Sequence, residues 1–201
     1  DWSSDVCSSD LANESVSLTF TVTITDDQGA MASDDVTITI NGTNDAPVIS
    51  ASSDTTGAVT EAGHYDNGTT LSGAPSASGT LISTDVDNNS TASWTIHGSP
   101  SGTYGSIAVT SAGVWTYTLD NSLTTTQSLK EGDIQYETFT ARVTDDKGAV
   151  ADQAITITVN GSNDAPVISA SSDTTGAVTE AGHYDNGTTL SGTPSASGTL
   201  V

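Results

Sequence analysis

Apolar residues recur at every second position along much of this chain, in short runs broken by Gly, Asn, Asp and Pro. Trp94 and Ile96 share a parity, as do Ile107 and Val109. Trp115, Tyr117 and Leu119 share the next face, followed by Phe139, Ala141 and Val143, then by Ile155, Ile157 and Val159. Such alternation places successive side chains on opposite faces of a β-strand. No stretch of useful length carries the period of an amphipathic helix. Strands are expected at 47–52 (with extension to 61 left open), 78–84, 91–97, 105–110, 114–119, 137–144 and 150–159, with a hairpin turn at Ser111-Ala112-Gly113. About seven strands with closely spaced turns predict an all-β, immunoglobulin-like sandwich. A small barrel is the alternative.

The pattern repeats. Residues 41–81 recur at 160–200, a period of 119, with only Thr43/Ser162 and Ala74/Thr193 differing. The same offset carries Phe20 onto Phe139, Asp26-Asp27 onto Asp145-Asp146, and Gly29 onto Gly148. The expected organisation is the end of one unit (12–40), one complete unit (41–159, with 41–46 as linker) and the start of a third (160–201). A unit of this size can bury about two-thirds of its unfolded surface, enough for its own core. Tandem copying suits a spacer better than an enzyme, which rarely needs its active site in series. Residues 1–11 read differently, as the translation of a sequencing-library adapter. Setting them aside removes Cys7 and Trp2, and with Cys7 any disulfide or thiolate metal site.

Charge narrows the function. Three Lys+Arg stand against 25 Asp+Glu, a formal charge of -22. Nucleic-acid binding requires a basic stripe to displace phosphate counterions, and an anionic membrane surface would repel this chain. No apolar run approaches the length of a membrane span. A surface this acidic either tolerates its self-repulsion or binds cations. No signal peptide is visible, which says nothing about secretion because the chain begins within a repeat.

Strand parity places the acids. If successive strands run up and down, the loops 85–89 and 145–148 fall at the end where the linker 41–47 enters. Asp85 and Asp87, Asp145 and Asp146, and Asn44 and Asp45 would then converge. Hard oxygen donors gathered in this number suit Ca²⁺, and without a cation they repel one another. Glu61, Glu131 and Asp133 are expected at the opposite end, beside the outgoing Asn163 and Asp164. The competing explanation is local, since Asp and Asn are common in turns for their short-range backbone hydrogen bonds. The EF-hand spacing is absent, because no Glu closes the twelve-residue loop that would begin at Asp85.

The runs SGTLISTDVDNNSTASWTIHG (78–98), TYGSIAVTSAGVWTYTLDNS (103–122) and FTARVTDDKGAVADQAITITVNGSNDAP (139–166) resemble the VCBS repeat family. These are cadherin-like, immunoglobulin-fold modules of giant bacterial surface proteins. The resemblance covers essentially all of 12–201. It implies a structural spacer of an RTX-type adhesin, exported by type I secretion to the cell surface and supporting adhesion and biofilm formation. Neighbouring repeats of the same chain would be its partners, and a surface or glycan ligand would be bound by other domains. The linker Asn44-Asp45-Ala46-Pro47 and the loop Asp85-Val86-Asp87 are similar to the calcium elements of cadherins, though this linker has fewer acids.

Other functions are less well supported. His64, His97 and His183 show no zinc-type spacing, and abundant Ser and Asp make any drawn triad uninformative, so no enzyme is expected. The main alternative is a carbohydrate-binding β-sandwich. Trp94 and Trp115 lie in phase with core residues, whereas Tyr65 and Tyr104 fall in loops where a sugar could reach them. Ice binding through Thr37-Ile38-Thr39 or Thr156-Ile157-Thr158 would need more than the ordinary polar face of a strand.

Overall fold

The computed structural model describes residues 14–87 and 89–201. The adapter-like segment 1–11, including Trp2, and loop residue Asn88 lie outside the described residues. In chain order the strands are β1 (Ser15–Thr25), β2 (Met31–Asn41), β3 (Val48–Ile49), β4 (Thr56–Thr60), β5 (Gly63–His64), β6 (Thr70–Leu71), β7 (Ser76–Thr80), β8 (Ser83–Thr84), β9 (Ala92–His97), β10 (Gly105–Val109) and β11 (Val114–Leu119). After a single helical turn, α1 (Thr124–Gln127), come β12 (Ile134–Asp145), β13 (Val150–Asn160), β14 (Gly182–His183) and β15 (Thr189–Leu190). The chain divides into two compact units, the first ending at Asn163 and the second running from Asp164 to Val201.

The complete repeat is a sandwich of a four-stranded sheet, β4-β13-β12-β9, and a three-stranded sheet, β10-β11-β7. The parity read from the sequence puts Trp94, Trp115, Tyr117, Phe139, Val143, Ile155 and Ile157 inside, and all are buried; Ile96 is half-buried against them. Tyr117 and Phe139, one from each sheet, meet at a ring separation of 5.9 Å. The expected hairpin at 111–113 joins β10 to β11, and Gly113 sits there at φ +89°. A Cβ at that position would stand 2.5 Å from the Leu81 carbonyl oxygen, so a side chain is excluded on two grounds.

Two segments depart from the expected single strands. The segment 47–61 breaks at Ser50–Ser53, where Ser50 and Ser52 hydroxyls pair and Ser53 N–H bonds the Ser50 carbonyl. Its first part, β3, pairs antiparallel with β8, and its second, β4, crosses to run parallel to β13. The segment 78–84 divides in the same way between β7 and β8. The small hairpin β5–β6 forms where the sequence lacks the alternation that announces a strand.

A polar group inside the sandwich ties a loop to the core. Glu137 is buried, and its Oε2 accepts the Tyr117 hydroxyl at 2.5 Å. Its Oε1 accepts the main-chain N–H groups of Thr103 and Tyr104. Burial, reinforced by the Glu137 hydrogen bond and charge, holds the Tyr117 hydroxyl well above its ordinary pKa. A carboxylate satisfied by three donors holds the 99–104 loop closed over the β11–β12 end of the core. Glu137→Gln keeps the shape but makes these bonds neutral, so it should cost about 1–2 kcal/mol in urea unfolding. An unchanged midpoint would show that the carboxylate charge adds nothing.

Candidate metal centre

The three segments that parity assigns to the entry end do meet. Asn44 Nδ2 donates to Asp145 Oδ2 at 2.9 Å, and the Asp45 main-chain N–H donates to Asp87 Oδ2 at 2.8 Å. Within the loop, the Asp87 N–H donates to Asp85 Oδ1 at 3.0 Å. Asp145 Oδ1 receives the N–H groups of Lys147 and Ala149, which closes the β12–β13 turn. The linker therefore threads between the two loops and is held by one bond to each.

The electrostatics follow from these contacts. The Asn44 amide, aided by the turn N–H groups, outweighs desolvation and holds the Asp145 carboxyl below the usual range. Asp146 is engaged instead by Lys147, Nζ to Oδ2 at 2.8 Å, and this pairing lowers its pKa. Two oxygens have no such compensation. Asp85 Oδ2 and Asp87 Oδ1 are buried without a hydrogen-bond partner among the described residues, and Asp87 as a whole is 6% exposed. A buried carboxylate oxygen left unpaired is costly.

The arrangement differs from the expected convergence of carboxylates, and Asp146 turns to Lys147 instead. Among the described residues, no three His, Cys, Asp or Glu side chains are grouped so as to hold an ion. Asp45 meets Asp87 through its backbone N–H rather than its carboxylate. An N–H beside a carboxylate attracts it, where a third carboxylate would repel it. Among the described residues the oxygens without a partner at this end are Asp85 Oδ2 and Asp87 Oδ1, since Asp145 already accepts from Asn44, Lys147 and Ala149.

The opposite end is built differently. Glu61 is fully buried, with Gln127 Nε2 donating to Oε1 at 3.3 Å and the Ser162 N–H donating to Oε2 at 3.2 Å. It therefore acts as an internal brace between the end of β4, α1 and the strand leaving β13. Asp133 Oδ2 caps the turn by accepting the Lys130 N–H at 2.9 Å. Asp164 is exposed and opens the second compact unit. The brace could not be read from alternation, because Gln127 and Ser162 reach Glu61 only through the fold.

A family profile, the bacterial cadherin-like domain, matches residues 44–161. Those residues begin at the Asn44 that binds Asp145 and end just past β13. The chain belongs to the bacterial cadherin-like domain family. No curated protein shows significant similarity to it. A cadherin-like domain is a structural or adhesive module, typically extracellular. No helix among the described residues is long and apolar enough to cross a membrane.

Proposed function

We propose that this cadherin-like chain is a run of VCBS-type spacer repeats from a large secreted bacterial adhesin of the RTX type. In this reading it holds an adhesive domain away from the cell and supports attachment and biofilm formation. Calcium binds at the entry end of each repeat and stiffens the junction with its neighbour. The observation that carries the calcium step is the pair of buried oxygens, Asp85 Oδ2 and Asp87 Oδ1, that have no partner among the described residues and lie beside the linker that connects successive repeats. A divalent cation there would supply the missing partner and tie the linker to both loops. The spacer reading is supported by burial of Trp94 and Trp115, which leaves neither available as an exposed stacking platform.

Calorimetric titration of the 201-residue chain tests the calcium step. Extracellular calcium modules bind with Kd of about 10⁻⁴–10⁻³ M, and that range is expected here. Asp87→Asn should weaken the binding by about tenfold, and Asp146→Asn should change it little because Asp146 is already paired with Lys147. Equal affinity for chain and Asp87→Asn variant would remove this site from the reading.

A further inference from the structure

Asn-X-Ser or Asn-X-Thr, the triplet that accepts an N-linked sugar, occurs among the described residues at Asn41, Asn67, Asn89, Asn160 and Asn186. In a chain rich in Asn, Ser and Thr such triplets arise by composition alone, so the fold has to select among them. Two stand apart. Asn67-Gly68-Thr69 forms the tip of the β5–β6 hairpin, where the Gly68 N–H donates to the Tyr65 carbonyl at 2.8 Å and all three residues are exposed. Asn186-Gly187-Thr188 is its copy in the second unit, between β14 and β15. There the Gly187 N–H closes the turn on the Tyr184 carbonyl at 2.8 Å, and the three residues are again exposed.

The side chains at the two tips are arranged alike. Thr69 donates twice to Asn67 Oδ1, from its main-chain N–H at 3.0 Å and from its hydroxyl at 2.6 Å. Thr188 makes the same two bonds to Asn186 Oδ1. Both bonds fall on the amide oxygen and neither engages Nδ2, the atom a sugar would join. The space beside them is open, since a Cβ on Gly68 or Gly187 would meet nothing within 4 Å. A tight turn by itself accounts for Asn67 and for Gly68 at φ +79°. It does not require a hydroxyl two residues after the Asn. The other triplets are placed differently. Asn160 commits its Nδ2 to the Val59 carbonyl at 3.0 Å, Ser162 is 3% exposed, and a Cβ on Gly161 would stand 2.4 Å from the Lys130 carbonyl oxygen. Asn41 lies in the β1–β2 ladder opposite Ser15, and Asn89 sits in the acidic loop with its backbone at φ +59°.

We propose that Asn67 and Asn186 are acceptor sites for an N-linked sugar, one at the hairpin tip of each repeat. In the transfer, Nδ2 forms a bond to the anomeric carbon of a sugar activated as its diphosphate ester. The bond from that carbon to the phosphate oxygen breaks, the diphosphate leaves with the electron pair, and the amide gives up one proton. The Thr69 hydroxyl fixes the Asn67 side chain and presents the group that sequon-reading transferases require at that position. An attached sugar is bulky and hydrophilic, and an exposed tip carries it without displacing a packed residue. The period of 119 residues would set such sugars at regular intervals along an array. The proposal goes beyond the spacer reading and does not involve the Asp85 and Asp87 end.

The test is sugar transfer onto the folded 201-residue chain, read by mass spectrometry of its peptides. One arm supplies a soluble N-glycosyltransferase with a nucleoside-diphosphate hexose. The other supplies a membrane oligosaccharyltransferase with a polyprenyl-diphosphate sugar, so the arms distinguish the two donors. Each enzyme is first shown to modify unfolded peptides spanning 63–73 and 156–166, and peptides extending to Ala74 or Thr193 tell the two copies apart. In at least one arm the folded chain should carry the sugar at Asn67 and Asn186 and none at Asn160. Thr69→Ala keeps the acceptor amide and the turn but removes the hydroxyl. It should slow transfer at Asn67 about tenfold, as for the loss of one good hydrogen bond, and leave Asn186 unchanged. Absence of sugar at Asn67 in both arms would overturn the proposal. So would transfer to Asn160 of the folded chain as fast as to Asn67, or a Thr69→Ala chain modified at the unsubstituted rate.

Discussion

Saturating calcium is expected to raise the melting temperature of the complete repeat by on the order of 10 °C. At a free concentration of about 100 times Kd, one site present only in the folded state adds roughly 2.7 kcal/mol. A domain of this size converts that into a shift of several degrees per kcal/mol. The sign should invert for the variant. In chelator, Asp85 Oδ2 and Asp87 Oδ1 are buried oxygens with no partner among the described residues, so Asp85→Asn with Asp87→Asn should relieve a charge cost. The double variant should therefore melt at or above the unsubstituted chain in chelator, and below it in calcium. Magnesium at matched ionic strength controls for screening of the acidic surface. Parallel melting curves with and without calcium would leave the spacer without its proposed stiffening ion. Small-angle scattering on two complete units in tandem adds a mechanical readout, since linkers held by the ion should lengthen the particle.

The second large effect concerns the core. Trp115 is fully buried, and its indole N–H donates to the Asp54 carbonyl at 2.7 Å. The ring is packed closely enough that a Cβ at Gly57 or Gly79 would stand 2.9 or 2.7 Å from its atoms. Trp115→Ala should cost about 3–5 kcal/mol, because it opens a cavity in the core and removes the indole hydrogen bond to Asp54. That is a large part of the roughly 5–15 kcal/mol holding an ordinary domain together. Trp94 remains in the core as a fluorescent reporter for urea unfolding. A loss below about 1 kcal/mol would mean that the neighbouring glycines let the sheets collapse onto the vacancy.

Much of this could be read in the chain itself. Alternation is a local consequence of strand geometry, so the inward set from Trp94 to Ile157 followed from parity alone. Up-and-down connectivity brought the 44–45, 85–87 and 145 segments to one end, as the Asn44–Asp145 and Asp45–Asp87 bonds show. What parity cannot say is which atom of a residue faces inward at a loop. Asp45 meets Asp87 with its N–H, and Asp146 yields its place to Asp145 because Lys147 neutralises it.

The repeats themselves mark where sequence ends and tertiary structure takes over. Thr56–Thr60 and Thr175–Thr179 have the same sequence. The first is a strand because β13 lies alongside in parallel register, while the second forms no strand beyond a single bridge from Thr179 to Thr193. Val59 and Leu81 are buried, whereas their copies Val178 and Leu200 are 64% and 69% exposed. Likewise the hairpin β1–β2 carries Phe20, Val36 and Ile38 at the positions of Phe139, Ile155 and Ile157, in the same antiparallel pairing but exposed. Sequence determined the alternation, the turns and the hairpin register, all of which need only neighbouring residues. Burial, the parallel pairing of β4, the Glu137 and Glu61 braces and the two unpaired aspartate oxygens were decided by tertiary structure. Each of these depends on a surface supplied from a distant part of the chain.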